Sequence, residues 1–216
     1  MKTGKHLIIS GILFTIVLFL WPVFMAAFQP QGTIDNHFVW IHNNAGIYKL
    51  QFFFAFLLSP SIIYLMYSQL NLYPAGNKIE LMTGTIFLAG YLVLNSISYA
   101  SQMTIVPLMI EAGLTGQAKV WYFSSPTSIA YFLNQTGYCF WALGALILFT
   151  RLVKEKGTIK YISIIYMLSA ILSVAAFAGL IIENKTLNSM TLYSGLVLIP
   201  VGIMSVIRGV KVNKSK

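Results

Sequence analysis

Six apolar runs, at residues 7–28, 47–67, 81–102, 129–150, 161–182 and 191–208, divide this chain and leave little freedom in its fold. An α-helix rises 1.5 Å per residue, so about 20 apolar residues cross a hydrocarbon core of roughly 30 Å. The runs have that length. Only 9% of the residues are charged, against roughly 25% in an ordinary soluble domain. Six spans and their connections use nearly all of the 216 residues, so the expectation is all-α: one polytopic unit over 1–216, a bundle of six transmembrane helices.

The first run follows Lys2 and Lys5. A signal peptide has an apolar region of about 7–15 residues and an A-x-A-like cleavage site. This run is longer and ends Phe24-Met25-Ala26-Ala27-Phe28, so it reads as a retained span, with Pro22 removing one backbone donor.

A formal charge of +9 could suggest nucleic acid, but the basic residues gather at helix ends. They sort by the positive-inside rule. Lys2, Lys5, Lys78, Arg151, Lys154, Lys156, Lys160, Arg208, Lys211, Lys214 and Lys216 fall on one side, and Lys49, Lys119 and Lys185 on the other. Both termini are therefore expected in the cytoplasm, with membrane lipids and not nucleic acid as surroundings. The wealth of Ile, Lys and Asn reads as a bacterial cytoplasmic membrane, where the Asn184-Lys185-Thr186 acceptor triplet is idle. The single cysteine, Cys139, excludes an internal disulfide.

The connections carry their own signals. Residues 29–44 hold Asp35, His37, Trp40 and His42 without Lys or Arg, an outside loop by the same rule. Asp35, His37 and His42 lack regular metal-ligand spacing, so interfacial packing is the preferred reading and no metal or other cofactor is expected. A turn at 71–77 contains Pro74 and Gly76. The longest connection, 103–128, is too apolar at 105–114 for a solvated loop and too short there to span. It is expected to be an interfacial or re-entrant segment between helices 3 and 4, anchored by Trp121, Tyr122 and Phe123. Pro60, flanked by Ser59 and Ser61, frees the carbonyl of Phe56, which the serines can help to satisfy; Pro200 breaks the sixth run. Ser169 with Ser173, and Ala175 with Gly179, are small-residue pairs suited to close helix packing. No internal repeat supports an inverted-repeat transporter fold.

Two polar stripes locate the candidate site. Tyr91, Asn95, Ser98, Tyr99 and Gln102 recur at helical spacing in the third run, and Tyr131, Asn134, Gln135 and Tyr138 do so early in the fourth. An amide facing lipid without a partner costs several kcal/mol, so both stripes are expected to face the bundle. Helical rise sets Asn95 and Asn134 about 9 and 7.5 Å below the outer surface, and Tyr91 and Tyr138 about 15 and 13.5 Å below it. The levels match. Hence the expected ligand-binding residues are Tyr91, Asn95, Tyr99, Gln102, Tyr131, Asn134, Gln135 and Tyr138, around an outward-facing pocket between helices 3 and 4, lidded by 105–121. The rival reading makes the same side chains interhelical glue.

Catalytic chemistry finds no foothold. The five acidic residues Asp35, Glu80, Glu111, Glu155 and Glu183 lie in loops or at run ends, and all three histidines lie at or beyond the ends of the first two runs. There is no HExxH, GxSxG or P-loop. The expectation is a non-enzymatic membrane protein that binds, senses or helps transport a small polar or amphipathic ligand, with room for a membrane-protein partner. A facilitator for a neutral or amphipathic solute is the alternative, and a lipid-modifying enzyme a third.

Overall fold

The computed structural model describes residues 3–73 and 77–214; Lys2, Lys216, Pro74 and Gly76, which carry parts of the topology and turn expectations, lie outside the described residues. Among the described residues six helices are long and apolar enough to cross a membrane, and no strand occurs. The chain is an all-α, multi-pass membrane protein. Its elements are α1 (Thr3–Phe28), α2 (Ile34–Asn43), α3 (Ala45–Leu70), α4 (Lys78–Met103), α5 (Ile105–Glu111), α6 (Thr115–Trp121), α7 (Ile129–Phe149), a 3-10 turn (Thr150–Lys154), α8 (Thr158–Ile181), α9 (Lys185–Asn188), α10 (Met190–Val197) and α11 (Ile199–Lys214).

The spans form a closed ring. Each packs on the next, α1 on α3, α3 on α4, α4 on α7, α7 on α8 and α8 on α10, and α11 returns to α1. Lipid tails are as apolar as leucine, so close packing and hydrogen bonds, not transfer from water, hold such a ring together. The α11–α1 closure shows how tight it is. A Cβ on Gly11 would meet the carbonyl oxygen of Gly202 at 2.8 Å, and one on Gly202 would meet that of Gly11 at 3.1 Å.

The two ends of the bundle differ. At the basic end, which carries the two end segments and Arg151 to Lys160, the ring is filled by Phe14, Leu65, Met66, Phe149, Ile162 and Tyr166. At the lid end a second cluster joins Phe38 and Ile41 of α2, Tyr48 and Phe52 of α3, Tyr99 of α4, and Val106, Ala118 and Tyr122 of the 103–128 connection.

That connection is a hairpin of two short helices, α5 on α6, seated on α2 and α4. Gly113 makes the turn at φ 72°, a left-handed value that favours glycine. Residues 29–44, expected as a loop, contain α2 instead. Thr33 caps it by accepting from the Asn36 N–H at 3.3 Å, and Asp35 sits favourably in its first turn.

The prolines behave differently from one another. α3 runs unbroken through Pro60, and the flanking serines do not serve the Phe56 carbonyl: Ser61 donates to the Leu58 carbonyl at 2.8 Å and Ser59 Oγ finds no partner among the described residues. Pro200 does break the sixth span. Its missing N–H and the tight bonds from Leu198 N to Gly195 O, at 3.1 Å, and from Val201 N to Leu198 O, at 3.0 Å, separate α10 from α11.

Candidate functional site

α4 and α7 do turn their polar stripes toward one another, and the seam between them is closed. A Cβ on Gly144 would meet the Gly84 carbonyl oxygen at 3.1 Å, and one on Gly137 would overlap the Asn95 side chain. Across this contact Asn134 Nδ2 donates to the Tyr99 hydroxyl at 2.8 Å, Tyr99 and Tyr138 share a hydroxyl contact at 3.3 Å, and Ser98 Oγ donates to the Ala130 carbonyl at 2.8 Å. Polar atoms here saturate each other. Asn95 is the exception: wholly buried, with neither amide atom hydrogen-bonded among the described residues.

Gln102 closes the lid end. Its Oε1 accepts from the Tyr48 hydroxyl at 2.8 Å and the Phe123 N–H at 2.9 Å, while Nε2 donates to the Trp121 carbonyl at 2.7 Å. One amide thereby ties α3, α4 and the end of α6. A second tie joins His37 Nδ1 and the Tyr122 hydroxyl at 2.8 Å. Burial pushes the Tyr122 phenol above its ordinary range, partly offset by Ser124, so it keeps its proton and can donate.

Open space lies on the other flank of α7. A cavity of about 420 Å³ is enclosed by α1, α3, α4, α7, α8, α10 and the start of α11, within the roughly 300–1,000 Å³ typical of small-molecule sites. Its apolar wall includes Phe14, Leu18, Leu58, Ile62, Leu198 and Ile199. Its polar wall includes Tyr91, Asn134, Gln135, Tyr138, Ser169, Asn188, Thr191 and Ser194. Three lining residues carry polar atoms without hydrogen-bond partners among the described residues: the indole nitrogens of Trp21 and Trp141 and Oδ1 of Asn188. Among the described residues that line the cavity none is a Lys, Arg, His, Cys, Asp or Glu.

Five of the eight expected residues, Tyr91, Tyr131, Asn134, Gln135 and Tyr138, line this cavity. Tyr99, Asn95 and Gln102 do not: the first two are buried in the seam, and the third ties down the connection expected as a lid, of which no residue from 105 to 121 lines the cavity. The expected pocket between helices 3 and 4 is thus displaced, because small residues bring α4 and α7 into contact and leave no space there. The wall facing α7 comes from residues that the stripe argument missed. Ser194 of α10 accepts from Ser173 Oγ at 3.0 Å and gives its carbonyl to Ser169 Oγ at 2.7 Å, and Thr191 donates to Gln135 Oε1 at 2.8 Å. The Ser169/Ser173 pair signalled close packing; Trp21 and Asn188 carried no periodic signal at all.

Asp35, His37 and His42 do not assemble, and among the described residues no three His, Cys, Asp or Glu side chains cluster as a metal site would need. The arrangement can offer hydroxyl, amide and indole hydrogen bonds to a neutral guest beside a large apolar surface. The chain matches no protein-family model, and neither a curated protein nor a solved structure shows significant similarity to it.

Proposed function

We propose that this protein binds a small, uncharged amphipathic molecule inside its helical ring, as a non-enzymatic binding, sensing or transport-accessory component of a bacterial cytoplasmic membrane with both termini cytoplasmic. The observation that carries this reading is the cavity of about 420 Å³, with hydroxyl and amide side chains beside a large apolar lining. Its wall combines the side chains of Asn134, Gln135, Tyr138 and Thr191 with those of Phe14, Leu18 and Ile62, so a guest with one polar and one apolar part finds a match for each.

Two further features support binding over chemistry or passage. Among the described residues the lining offers no carboxylate, imidazole or thiol for proton transfer or nucleophilic attack. Toward the basic end the ring is filled by Leu65, Met66, Phe149 and Ile162, which favours a chamber closed at one end over the facilitator alternative.

The test uses Gly195, which lines the cavity and has open space where a Cβ would stand. Native mass spectrometry of the gently extracted protein is expected to show a discrete neutral adduct that Gly195→Phe removes while the melting temperature holds. An adduct that survives Gly195→Phe, or none on the parent protein, refutes the cavity as the binding site. Solute flux in vesicles carrying the purified protein would select the facilitator instead.

A further inference from the structure

We infer that the cavity is loaded sideways from the bilayer, through a gap between the lid-end half of α1 and α10, and that its guest is a neutral amphiphile with a single apolar chain. This inference rests on the cavity being a binding site. The gap follows from how the last span is broken. From Gly202 onward α11 lies backbone to backbone with α1, but Pro200 ends that pairing. Beyond it the three hydrogen bonds made by Ser194 and Thr191 draw α10 onto α8 and α7. α1 continues as one helix through Pro22 to Phe28, its main partners being α11 and α3.

The exposed part of the cavity lining sits on the two sides of that divergence. Phe19 of α1 is 47% exposed, and Leu192, Tyr193 and Leu196 of α10 are 60%, 51% and 47% exposed, with exposed Ser189 the one polar member, just ahead of α10. Phe19 lies roughly 13 Å below the lid end of α1, within the hydrocarbon depth. A mouth so apolar, set in the flanks of membrane-spanning helices, faces lipid and not water. Opposite it stands the polar wall formed by Asn134, Gln135, Tyr138 and Thr191.

A guest passing this mouth must be apolar along most of its length and polar at the leading end. Its polar end must also be uncharged. The described lining supplies no countercharge, and an unpaired ion in such a site would be strongly disfavoured. Two apolar chains, with their fixed branching headgroup, do not suit a chamber of about 420 Å³.

The experiment leaves Trp141 as the only tryptophan by replacing Trp21, Trp40 and Trp121 with Phe, and places the protein in phosphatidylcholine vesicles. A monoacylglycerol brominated on the chain carbons nearest its ester is expected to quench most of the Trp141 emission, and Gly195→Phe is expected to abolish that quenching. Native mass spectrometry of the same triple-Phe variant tells whether the cavity still holds its adduct. Four results overturn the inference. Equal quenching by a brominated two-chain phosphatidylcholine or a brominated fatty acid anion rejects the guest class. Quenching by a water-soluble brominated alcohol but not by the monoacylglycerol rejects the lateral route. No quenching by any chain, with the adduct still present, rejects the lateral guest while sparing the binding reading; loss of both quenching and the parent protein's adduct rejects the two together.

Discussion

The two flanks of α7 carry similar polar side chains and meet different fates. On the α4 flank, Asn134, Tyr99 and Tyr138 bond one another and Ser98 bonds the Ala130 carbonyl across a seam too tight for a guest, with Asn95 the one side chain left unpartnered among the described residues. On the α10 flank Gln135, Ser169 and Ser173 are bonded as well, but the helices stand apart around a cavity. The difference lies in the opposing helix. α4 is continuous and carries small residues where it meets α7, so backbones approach and side chains saturate each other. The sixth span is broken at Pro200, and the half beside the cavity is held by α8 through serine hydroxyls. A polar stripe therefore becomes glue or pocket according to how straight and how close its partner is.

The comparison breaks most severely at Gln102. Gln102→Leu strands the Tyr48 hydroxyl, the Phe123 N–H and the Trp121 carbonyl, and should cost about 3 kcal/mol at the lid end. Its expected signature is a lower melting temperature with faster tryptic cleavage at Lys119; an unchanged digest would mean that the hairpin is held by its apolar cluster alone.

Gly137→Ala comes next, since the new methyl group overlaps Asn95. Overpacking of this kind costs roughly 1–3 kcal/mol. Pairing it with Asn95→Ala should recover most of the loss in a double-mutant cycle, whereas simple additivity would show that the seam does not depend on this contact.

Tyr99→Phe removes the acceptor for Asn134 at the heart of the seam. The expected cost is about 1 kcal/mol, with no change in the cavity adduct by mass spectrometry. If the adduct vanishes, the seam and the cavity are one site and the contrast between the flanks dissolves.

The smallest effect concerns pH. Burial holds the Tyr122 phenol above the ordinary tyrosine value of about 10, so its contribution is fully present below that pH and fades as the pH rises through the shifted value. Melting curves should thus be flat in this respect across the neutral range and soften above about pH 10, and Tyr122→Phe should remove that alkaline softening.

Length and hydropathy were enough to reveal the six spans, because each must satisfy its own backbone in lipid. Helical spacing likewise set Tyr91 to Gln102 and Tyr131 to Tyr138 on inward faces, and the missing proline N–H marked the break at Pro200. α2 was legible but passed over: Ile34, Phe38 and Ile41 recur at helical spacing behind the Thr33 cap, and the lack of Lys and Arg, which marks only the side of the membrane, says nothing against a helix. Which stripe would be saturated was not legible at all. That depends on atoms distant in the chain, such as Thr191 reaching Gln135 and Tyr48 reaching Gln102. Local sequence determines which faces shun lipid, since that preference belongs to each residue and its helical position. Whether an inward face closes or keeps a cavity was decided only by the ring, where the packing distance between two helices is set by the other helices they touch.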